Sequence, residues 1–296
     1  MDRGALPDAS GTDTLRRRIL GRRRILGSRG GNSALLFGGL ALAALATAAL
    51  VGLWYTPYDP TVFAVRIRLQ PPNALHPFGT DEFGRDVLSR VLAGAHLSLA
   101  IGFGAMLVSL ALGVPLGLLA AFDRGWVSAA IMRGADLMIS LPPILLGLLI
   151  LAVTPPNLGK TILAVGLVYV PILVRLSRAV ALGLLEEDFV QAARARGEGA
   201  VSILAREILP NAWPPIIVEC GLRVTFAILL GASLSFLGLG PQPPSSEWGL
   251  MIAESREFLA QAPWMGLAPG LCLCALLVAV NVAGEGLRAR LDPSHA

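Results

Sequence analysis

Long apolar stretches alternate with short polar connections along most of the chain. A helix needs about 20 apolar residues to cross roughly 30 Å of hydrocarbon, and six stretches reach that length. They cover approximately residues 34–54, 97–122, 129–153, 161–182, 215–238 and 267–287. Lipid offers no hydrogen-bond partner to backbone N–H and C=O groups, so open strands cannot cross it. The pattern therefore predicts an all-α integral membrane protein with six transmembrane helices.

The composition agrees with this interpretation and excludes the main alternatives. Of 296 residues, 54% are hydrophobic and only 15% are charged. A soluble domain carries about 25% charged residues, so this chain has too few to cover a soluble surface. The high apolar content also excludes a disordered chain. Cys220, Cys272 and Cys274 lie inside apolar stretches and are odd in number, which argues against a disulfide scaffold.

The basic residues of the loops predict the orientation of the chain. Cytoplasmic segments of membrane proteins carry an excess of Lys and Arg. Sixteen basic residues fall in the two tails, the 123–128 loop and the 183–214 loop with its adjacent helix end, whereas six fall in the opposite loops. Both termini are therefore predicted to be cytoplasmic, and six spans agree with this because an even number places the two termini on the same side.

The same pattern divides the chain into segments. They are a basic cytoplasmic N-terminal tail (1–33), a first transmembrane helix (34–54), an extracytoplasmic segment (55–96), a five-helix core (97–287) with a cytoplasmic loop (183–214), and a cytoplasmic C-terminal tail (288–296). Within the extracytoplasmic segment, residues 80–92 predict a short amphipathic helix capped by Thr80 or Asp81. The first span is longer than the roughly 7–15 apolar residues of a signal peptide, so it is expected to be an uncleaved anchor.

The cytoplasmic loop contains a pattern typical of two short helices, over residues 186–210. Acidic residues at 186–188 suit the N-terminus of a first helix, and arginines at 194 and 196 suit its C-terminus. Gly197 and Gly199 permit the left-handed backbone that a tight reversal needs.

A second helix follows this glycine elbow and is predicted to stop at Pro210. Its apolar face consists of Val201, Leu204 and Ile208. That face can pack against the chain's own bundle, lie in the lipid interface, or dock into a groove on a partner protein. The spacing alone does not separate these alternatives.

The loop resembles the cytoplasmic EAA loop of ABC-importer permeases. That pattern is Glu-Ala-Ala, three residues, Gly, nine residues, then Ile-x-Leu-Pro. The chain matches it at Ala192, Ala193, Gly197, Leu209 and Pro210. It departs at Gln191, where Glu is usual, and at Glu207, where Ile is usual.

Three further stretches are similar to motifs of the dipeptide/oligopeptide/nickel branch of these binding-protein-dependent permeases. They are a GTDxxGRDxxSR signature over 79–90, a segment over 234–249 after the fifth span, and a closing segment over 281–293. Glu285 stands where the closing motif usually has Asp. Four separated motifs in the family's order identify the chain as similar to this family over about residues 34–293.

The resemblance implies a type I ABC importer permease fold in the bacterial inner membrane, and a transport subunit rather than an enzyme. It implies a second homologous permease subunit, an extracytoplasmic solute-binding protein and two ATPase subunits, which bind ATP and Mg²⁺ outside this chain. Membrane lipid surrounds such a subunit, and nucleic acid is not a partner. The implied ATPase-coupling residues are Gln191, Ala192, Ala193, Arg194, Arg196, Gly197, Leu204, Arg206, Leu209 and Pro210.

The expected solutes are di- or oligopeptides, and the family leaves nickel or another small solute, such as glutathione, open. An ATP-independent secondary carrier is the alternative mechanism. It would show an inverted repeat and broken helices, and neither is evident in the sequence. An intramembrane enzyme would need a histidine-containing catalytic set at membrane depth, and no histidine falls clearly within a span.

Charged residues inside the spans form the remaining candidate sites. Glu219 and Arg223 are four residues apart on the fifth span, and Arg133 and Asp136 are three apart on the third. This spacing allows each pair to interact along one helix face. Both self-paired packing and the lining of a solute path, where they could meet a peptide's charged ends, fit the pattern.

Two other features have modest implications. Gly113 and Gly117 in the second span allow close approach of a helix from this chain or from a partner subunit. The three histidines, at positions 76, 96 and 295, lack metal-ligand spacing, so no metal site is predicted.

Overall fold

A computed structural model describes residues 33–123, 125–153 and 155–291, and in these ranges the chain is helical apart from its connections. The helices are α1 (Ser33–Trp54), α2 (Val87–Phe122), α3 (Trp126–Ile139), α4 (Pro143–Ala152), α5 (Leu158–Leu184), α6 (Asp188–Ala195), α7 (Ala200–Phe236), α8 (Trp248–Ser255) and α9 (Trp264–Leu291). Short 3₁₀ turns occupy Val65–Ile67 and Arg256–Phe258. Residues 1–32 of the basic tail, Arg124, and the end of the C-terminal tail with Asp292 and Pro293 lie outside the described residues.

The long apolar helices of the described residues provide five candidate membrane spans, or six if one bent pair counts as a span. Helices α1, α2, α5, α7 and α9 are each long and apolar enough to cross alone, and α3 with α4 supplies the sixth crossing if the pair counts as one span. The all-helical prediction is confirmed. The continuous third span predicted over 129–153 is wrong, because α3 and α4 meet at a bend of 97°. Pro142 and Pro143 explain the break, since each lacks an N–H donor and disfavours helical geometry in the preceding residue.

The second span begins earlier than predicted, and the separate helix at 80–92 does not form. Asp86, not Thr80 or Asp81, caps α2, and its carboxylate accepts a hydrogen bond from the Ser89 N–H. Residues before Asp86 form a loop with left-handed backbone at Gly79 (φ 70°) and Gly84 (φ 77°). Such a backbone interrupts a helix, so the apolar positions 87–92 become the first turns of α2.

The fifth span also differs from its prediction, because Pro210 does not stop the helix. Helix α7 runs from Ala200 through a π-helical turn at Ile203–Ile208 and on to Phe236. Pro210 cannot donate a backbone hydrogen bond. The side-chain amide of Asn211 donates to the Glu207 carbonyl at 2.7 Å, which supplies a donor to the same turn. The helix therefore continues through Pro210 because the preceding turn is π-helical and the Asn211 side chain donates a hydrogen bond there.

The close helix approach predicted at Gly113 and Gly117 occurs within this chain. A Cβ atom at Gly113 would lie 2.7 Å from the Leu173 Cβ, and one at Gly117 would lie 1.9 Å from the Ser177 Oγ. Both contacts are with α5, which packs along α2. The glycines therefore serve intrachain packing, and α2, α5, α7 and α9 surround the buried core.

Candidate functional site

The segment 186–210, called here the glycine hairpin, consists of α6 and the first turns of α7. Gly197 has φ of 79°, as the sequence predicts, whereas Gly199 has φ of −72° and caps α7. The Gly197 N–H donates to the Arg194 carbonyl at 2.9 Å, and the Glu198 N–H donates to the Ala193 carbonyl at 3.2 Å. This pair of bonds is a Schellman motif, which ends α6 and fixes the angle of the reversal.

The apolar face of the hairpin differs from the predicted stripe. Ile203 and Ile208 are buried, Leu204 is partly buried, and Val201 is 80% exposed. A π-helical turn brings residues five apart onto one face, so the buried pair is i and i+5 rather than i and i+7. Val190 and Ala193 of α6 complete this core with zero exposure. The apolar face of the hairpin therefore belongs to the core of this chain's own bundle, and Val201 is left uncovered.

The predicted coupling residues are mostly at the surface of the hairpin. Gln191, Ala192, Arg194, Arg196, Gly197, Arg206 and Pro210 are exposed, Leu204 and Leu209 are partly buried, and Ala193 is buried. The Gln191 amide donates to the Leu185 carbonyl at 3.1 Å. The departure from Glu to Gln thus places a donor against the end of α5, where a carboxylate could only accept.

Arg196 joins the two sides of the elbow. Its guanidinium lies 2.6 Å from a carboxylate oxygen of Glu198 and 3.3 Å from one of Glu207. The Ser202 hydroxyl donates to the other oxygen of Glu198 at 3.0 Å. The hydrogen bonds from Arg196 and then Ser202 lower the pKa of Glu198. Glu207, where the family pattern has Ile, therefore has a partner across the turn.

The two candidate ion pairs inside the spans have different outcomes. Arg223 and Glu219 form the predicted pair on α7 at 2.6 Å. Asp136 does not pair with Arg133, contrary to the prediction, but with Arg175 of α5. Spacing along one helix indicates only which residues of that helix can pair. Asp136 instead pairs with an arginine of the adjacent helix, α5.

A buried group of charges in the signature segment is the main feature that the sequence interpretation missed. The arginine cluster comprises Asp81, Glu82, Arg85, Arg90 and Glu254. One oxygen of Asp81 accepts hydrogen bonds from Arg85 at 2.6 Å and Arg90 at 2.8 Å, and Arg90 also reaches Glu254 at 2.8 Å. Both arginine side chains are at most 2% exposed. Burial is the largest influence on Glu82 and raises its pKa.

Two tryptophans and a helix cap tie the same segment to the connection between α7 and α9. The Trp248 indole donates to the Val91 carbonyl at 3.0 Å, and the Trp264 indole donates to the Thr80 carbonyl at 3.1 Å. Glu247 caps α8 by accepting from the Gly249 and Leu250 N–H groups. Burial raises the pKa of Glu247, although these hydrogen bonds act in the opposite direction. The signature segment and α8 thus form one packed unit.

The arrangement offers charged surfaces and a hairpin rather than a reaction centre. In the described part of the chain, no group of three or more His, Cys, Asp and Glu side chains is placed to hold a metal ion. The alternating acids and bases at 81–90 are the one signal that could have indicated the arginine cluster. Glu254 had no such signal, because it lies 164 residues from its partner Arg90.

Known proteins resemble this chain over most of its length. The family described as "Binding-protein-dependent transport system inner membrane component" matches residues 113–295. The di/tripeptide transport system permease protein DppC of Pseudomonas aeruginosa is 41% identical over 268 residues, which cover 88% of each chain. The glutathione transport system permease protein GsiD of Pectobacterium atrosepticum is 37% identical over 256 residues, covering 86% of this chain and 85% of that protein.

A second DppC and a solved structure extend the comparison. The dipeptide transport system permease protein DppC of Alkalihalophilus pseudofirmus is 45% identical over 226 residues, 76% of this chain and 74% of that protein. An inward-facing structure of the MetNI methionine ABC transporter matches with a TM-score of 0.57 and 17% identity, covering 68% of this chain and 96% of that chain. At that identity the match shows a shared fold, the type I ABC importer permease fold, and nothing more.

These matches agree with an all-helical membrane protein. The secondary-carrier alternative predicted broken helices, and the α3–α4 break is one, but the family match separates the two classes. The chain belongs to the binding-protein-dependent transport system inner membrane components, and it is a multi-pass permease subunit of an ATP-driven importer whose ATPase is a separate subunit.

Proposed function

We propose that this permease imports di- or oligopeptides and forms half of the translocation path. A second homologous permease subunit forms the other half, two ATPase subunits bind ATP and Mg²⁺ on the cytoplasmic side, and an extracytoplasmic binding protein delivers the peptide. The observation that carries the solute class is the name of the DppC relatives, which cover most of both chains. Family membership supports the binding protein and the ATPase, and the number of subunits belongs to the proposal.

The glycine hairpin is the element that couples this chain to the ATPases. Its α6 face presents Gln191, Ala192 and Arg194 at the surface, and Val201 stands exposed beside the elbow. An exposed valine next to polar and basic side chains suits a groove on a partner protein. Of the three alternatives that the sequence allows, packing against the chain's own bundle buries Ile203 and Ile208, and the partner protein binds the outer face.

Continuity of α7 gives the hairpin its mechanical effect. The helix that begins at Ala200 in the hairpin continues to Phe236 at the far end of the span. Movement of the hairpin as a body therefore moves the span, a rigid-body change of the kind that switches transporters between two states. ATP favours one state because the ATPases bind it more tightly in that state, and only such a difference in affinity shifts the equilibrium.

The proposal is tested by uptake into proteoliposomes that contain both permeases and both ATPases, with the binding protein and a labelled dipeptide outside. We expect accumulation that requires ATP and stops when the ATPases are inactivated. Accumulation without ATP would contradict the proposal and favour a secondary carrier.

The second candidate solute is glutathione, because the GsiD relative is 37% identical over most of both chains. Competition in the same vesicles separates the two solutes. Excess unlabelled di- or tripeptide should abolish uptake of the labelled dipeptide, and excess glutathione should leave it unchanged. Uptake of labelled glutathione or nickel in place of the dipeptide would overturn the peptide assignment while leaving the ATP-driven mechanism in place.

A further inference from the structure

The ion pair between Asp136 of α3 and Arg175 of α5 joins two apolar helices that belong to candidate spans. Asp136 is ten residues after the start of α3 at Trp126, and Arg175 is nine residues before the end of α5 at Leu184. At 1.5 Å per residue, these positions are about 15 Å and about 14 Å along their helices from the same, predicted inner, side. Both residues therefore lie inside apolar helices that form candidate spans, well beyond the predicted inner ends of those helices.

At that depth the pair is poorly covered by its own chain. The side chains of Arg175 and Asp136 are 48% and 47% exposed. Arg133, one turn away on α3, is exposed as well. Charged side chains in the middle of a membrane face the bundle interior or water rather than lipid, because lipid cannot solvate them. The surface that carries the pair therefore faces protein or water in the assembled transporter.

The break between α3 and α4 supports a water-filled environment. It follows Asp136 within one turn, and Ser140, Leu141 and Pro142 are all exposed in this chain. Non-helical backbone at membrane depth is tolerated only where protein buries it or where it lines a water-filled cavity. Interrupted helices hold the solute sites of secondary transporters, and the α3–α4 break is an interruption of the same kind. Two different features, a charged pair and an interrupted backbone, thus mark the same patch.

We infer that Asp136 and Arg175, with the adjacent α3–α4 break, form a solute-contact site in the wall of the translocation path. The site takes a zwitterionic solute, because an adjacent carboxylate and guanidinium complement the α-ammonium and α-carboxylate groups of a peptide. This inference rests on the proposed function for its solute class, and it adds the residues that the solute meets within the spans.

Thiol labelling tests whether the patch faces water, whatever the solute is. In a transporter whose Cys220, Cys272 and Cys274 are replaced by alanine, Asp136→Cys and Arg175→Cys are compared with Leu137→Cys. Leu137 is the matched control, since it adjoins Asp136 on α3 and is 71% exposed. A charged, membrane-impermeant methanethiosulfonate reagent is added to the full complex with and without ATP. The two charge positions should react at least about tenfold faster than Leu137→Cys in one of the two states, because only a solvated thiol ionises readily.

Equal protection of all three positions, in a complex that hydrolyses ATP, would overturn the inference and place the patch against lipid or a partner subunit. Peptide delivered by the binding protein should slow labelling of Asp136→Cys and Arg175→Cys. Labelling without such slowing would retain a watery path but overturn the contact with the solute.

Uptake by charge variants separates solute contact from simple helix pairing. Arg175→Lys keeps the charge and should retain uptake, whereas Arg175→Gln should lose about tenfold, the effect of one lost ionic contact. The double variant Asp136→Asn with Arg175→Gln removes both contacts and should lose at least as much. Recovery in the double variant relative to Arg175→Gln would show that the pair only ties α3 to α5, and would overturn the inference. If the parental complex imports a different solute, the proposed function fails first, and the labelling experiment still decides whether the patch lines the path.

Discussion

The arginine cluster and the glycine hairpin both contain arginines paired with carboxylates, but their surroundings differ. Arg85 and Arg90 are at most 2% exposed and share Asp81 as a partner. Arg196 of the hairpin is 56% exposed and meets its carboxylates at the surface. Breaking a buried pair leaves a charge without solvent, whereas water replaces the partner of an exposed one. The same residue types therefore build a fixed unit at one end of the bundle and an accessible, hydrated surface at the other.

The packing around the two regions reinforces this difference. The arginine cluster is enclosed by α8 and by the indoles of Trp248 and Trp264, all of which belong to this chain. The hairpin packs its buried side chains into the core of the bundle and exposes Val201. An uncovered surface on the isolated chain is what the proposed contact of the hairpin with another subunit requires. Four substitutions test this comparison.

The largest effect is expected for Arg90→Met in the arginine cluster. The change removes the hydrogen bonds to Asp81 and Glu254 and leaves an excess of buried negative charge. The free energy of unfolding should fall by about 3–5 kcal/mol, measured as thermal unfolding of the transporter in detergent. Arg66→Met, at an exposed position of the same loop region, should change it by less than about 0.5 kcal/mol.

A double variant sharpens that test. The double variant combines Arg90→Met with Glu254→Met. It removes the carboxylate that Arg90→Met alone leaves buried without its arginine, so it should be more stable than Arg90→Met. A double variant that is less stable than Arg90→Met would show that packing, not charge, determines the loss.

The next effect is expected for Gly197→Val at the elbow of the hairpin. A Cβ at Gly197 would meet nothing within 4 Å, but φ of 79° strains any L-residue, and the local cost is about 1–2 kcal/mol. ATP-driven uptake should fall while assembly is retained. Gly199→Val is the matched control, because that glycine is equally open and has an ordinary φ of −72°. Equal uptake by both variants would show that the left-handed backbone at Gly197 is not needed for coupling.

A smaller, pH-dependent effect is expected for Glu247→Gln beside the arginine cluster. Burial raises the pKa of Glu247 in the folded protein above its ordinary 4.5. The folded state then binds the proton more tightly than the unfolded state, so this contribution to stability is complete below about pH 4.5 and is lost as the pH rises through the raised pKa. The unfolding midpoint of the parent should therefore fall with pH more steeply than that of Glu247→Gln. Parallel pH profiles would contradict the burial of this charge.

The smallest effect is expected for Arg196→Gln in the hairpin. Its two ion pairs are exposed, so water should replace them and leave the unfolding midpoint unchanged at physiological salt. The pKa of Glu198 should return toward its ordinary value, which titration monitored by NMR of labelled glutamate would detect. A drop in stability as large as that of Arg90→Met would mean that the two regions do not differ as described.

The sequence predicted those features that depend on local pattern. Apolar length identified the spans, and the glycine at 197 identified the elbow, because left-handed backbone favours glycine. The double proline at 142–143 was an available signal for the broken third span. Helix continuation past Pro210 was not predictable in the same way, since it depended on a π-helical turn and the side chain of Asn211.

The sequence alone could not predict which charged residues form ion pairs with each other. The pair of Glu219 with Arg223 followed the i, i+4 rule, but Asp136 chose Arg175 over Arg133. Arg90 found Glu254, on a segment that only the fold brings near. Local spacing restricts the possible contacts along one helix and says nothing about the helix that packs against it.

The sequence by itself determined that this protein crosses a membrane as helices, that its hairpin turns at Gly197, and that four motifs place it beside the permeases. These features follow from hydrophobic length and backbone sterics, which act over a few residues. Only the tertiary structure decided where the third span breaks, which charges pair, and which arginines are buried. Those outcomes depend on desolvation and on the geometry of helices distant in the chain, and both arise only when the helices pack together.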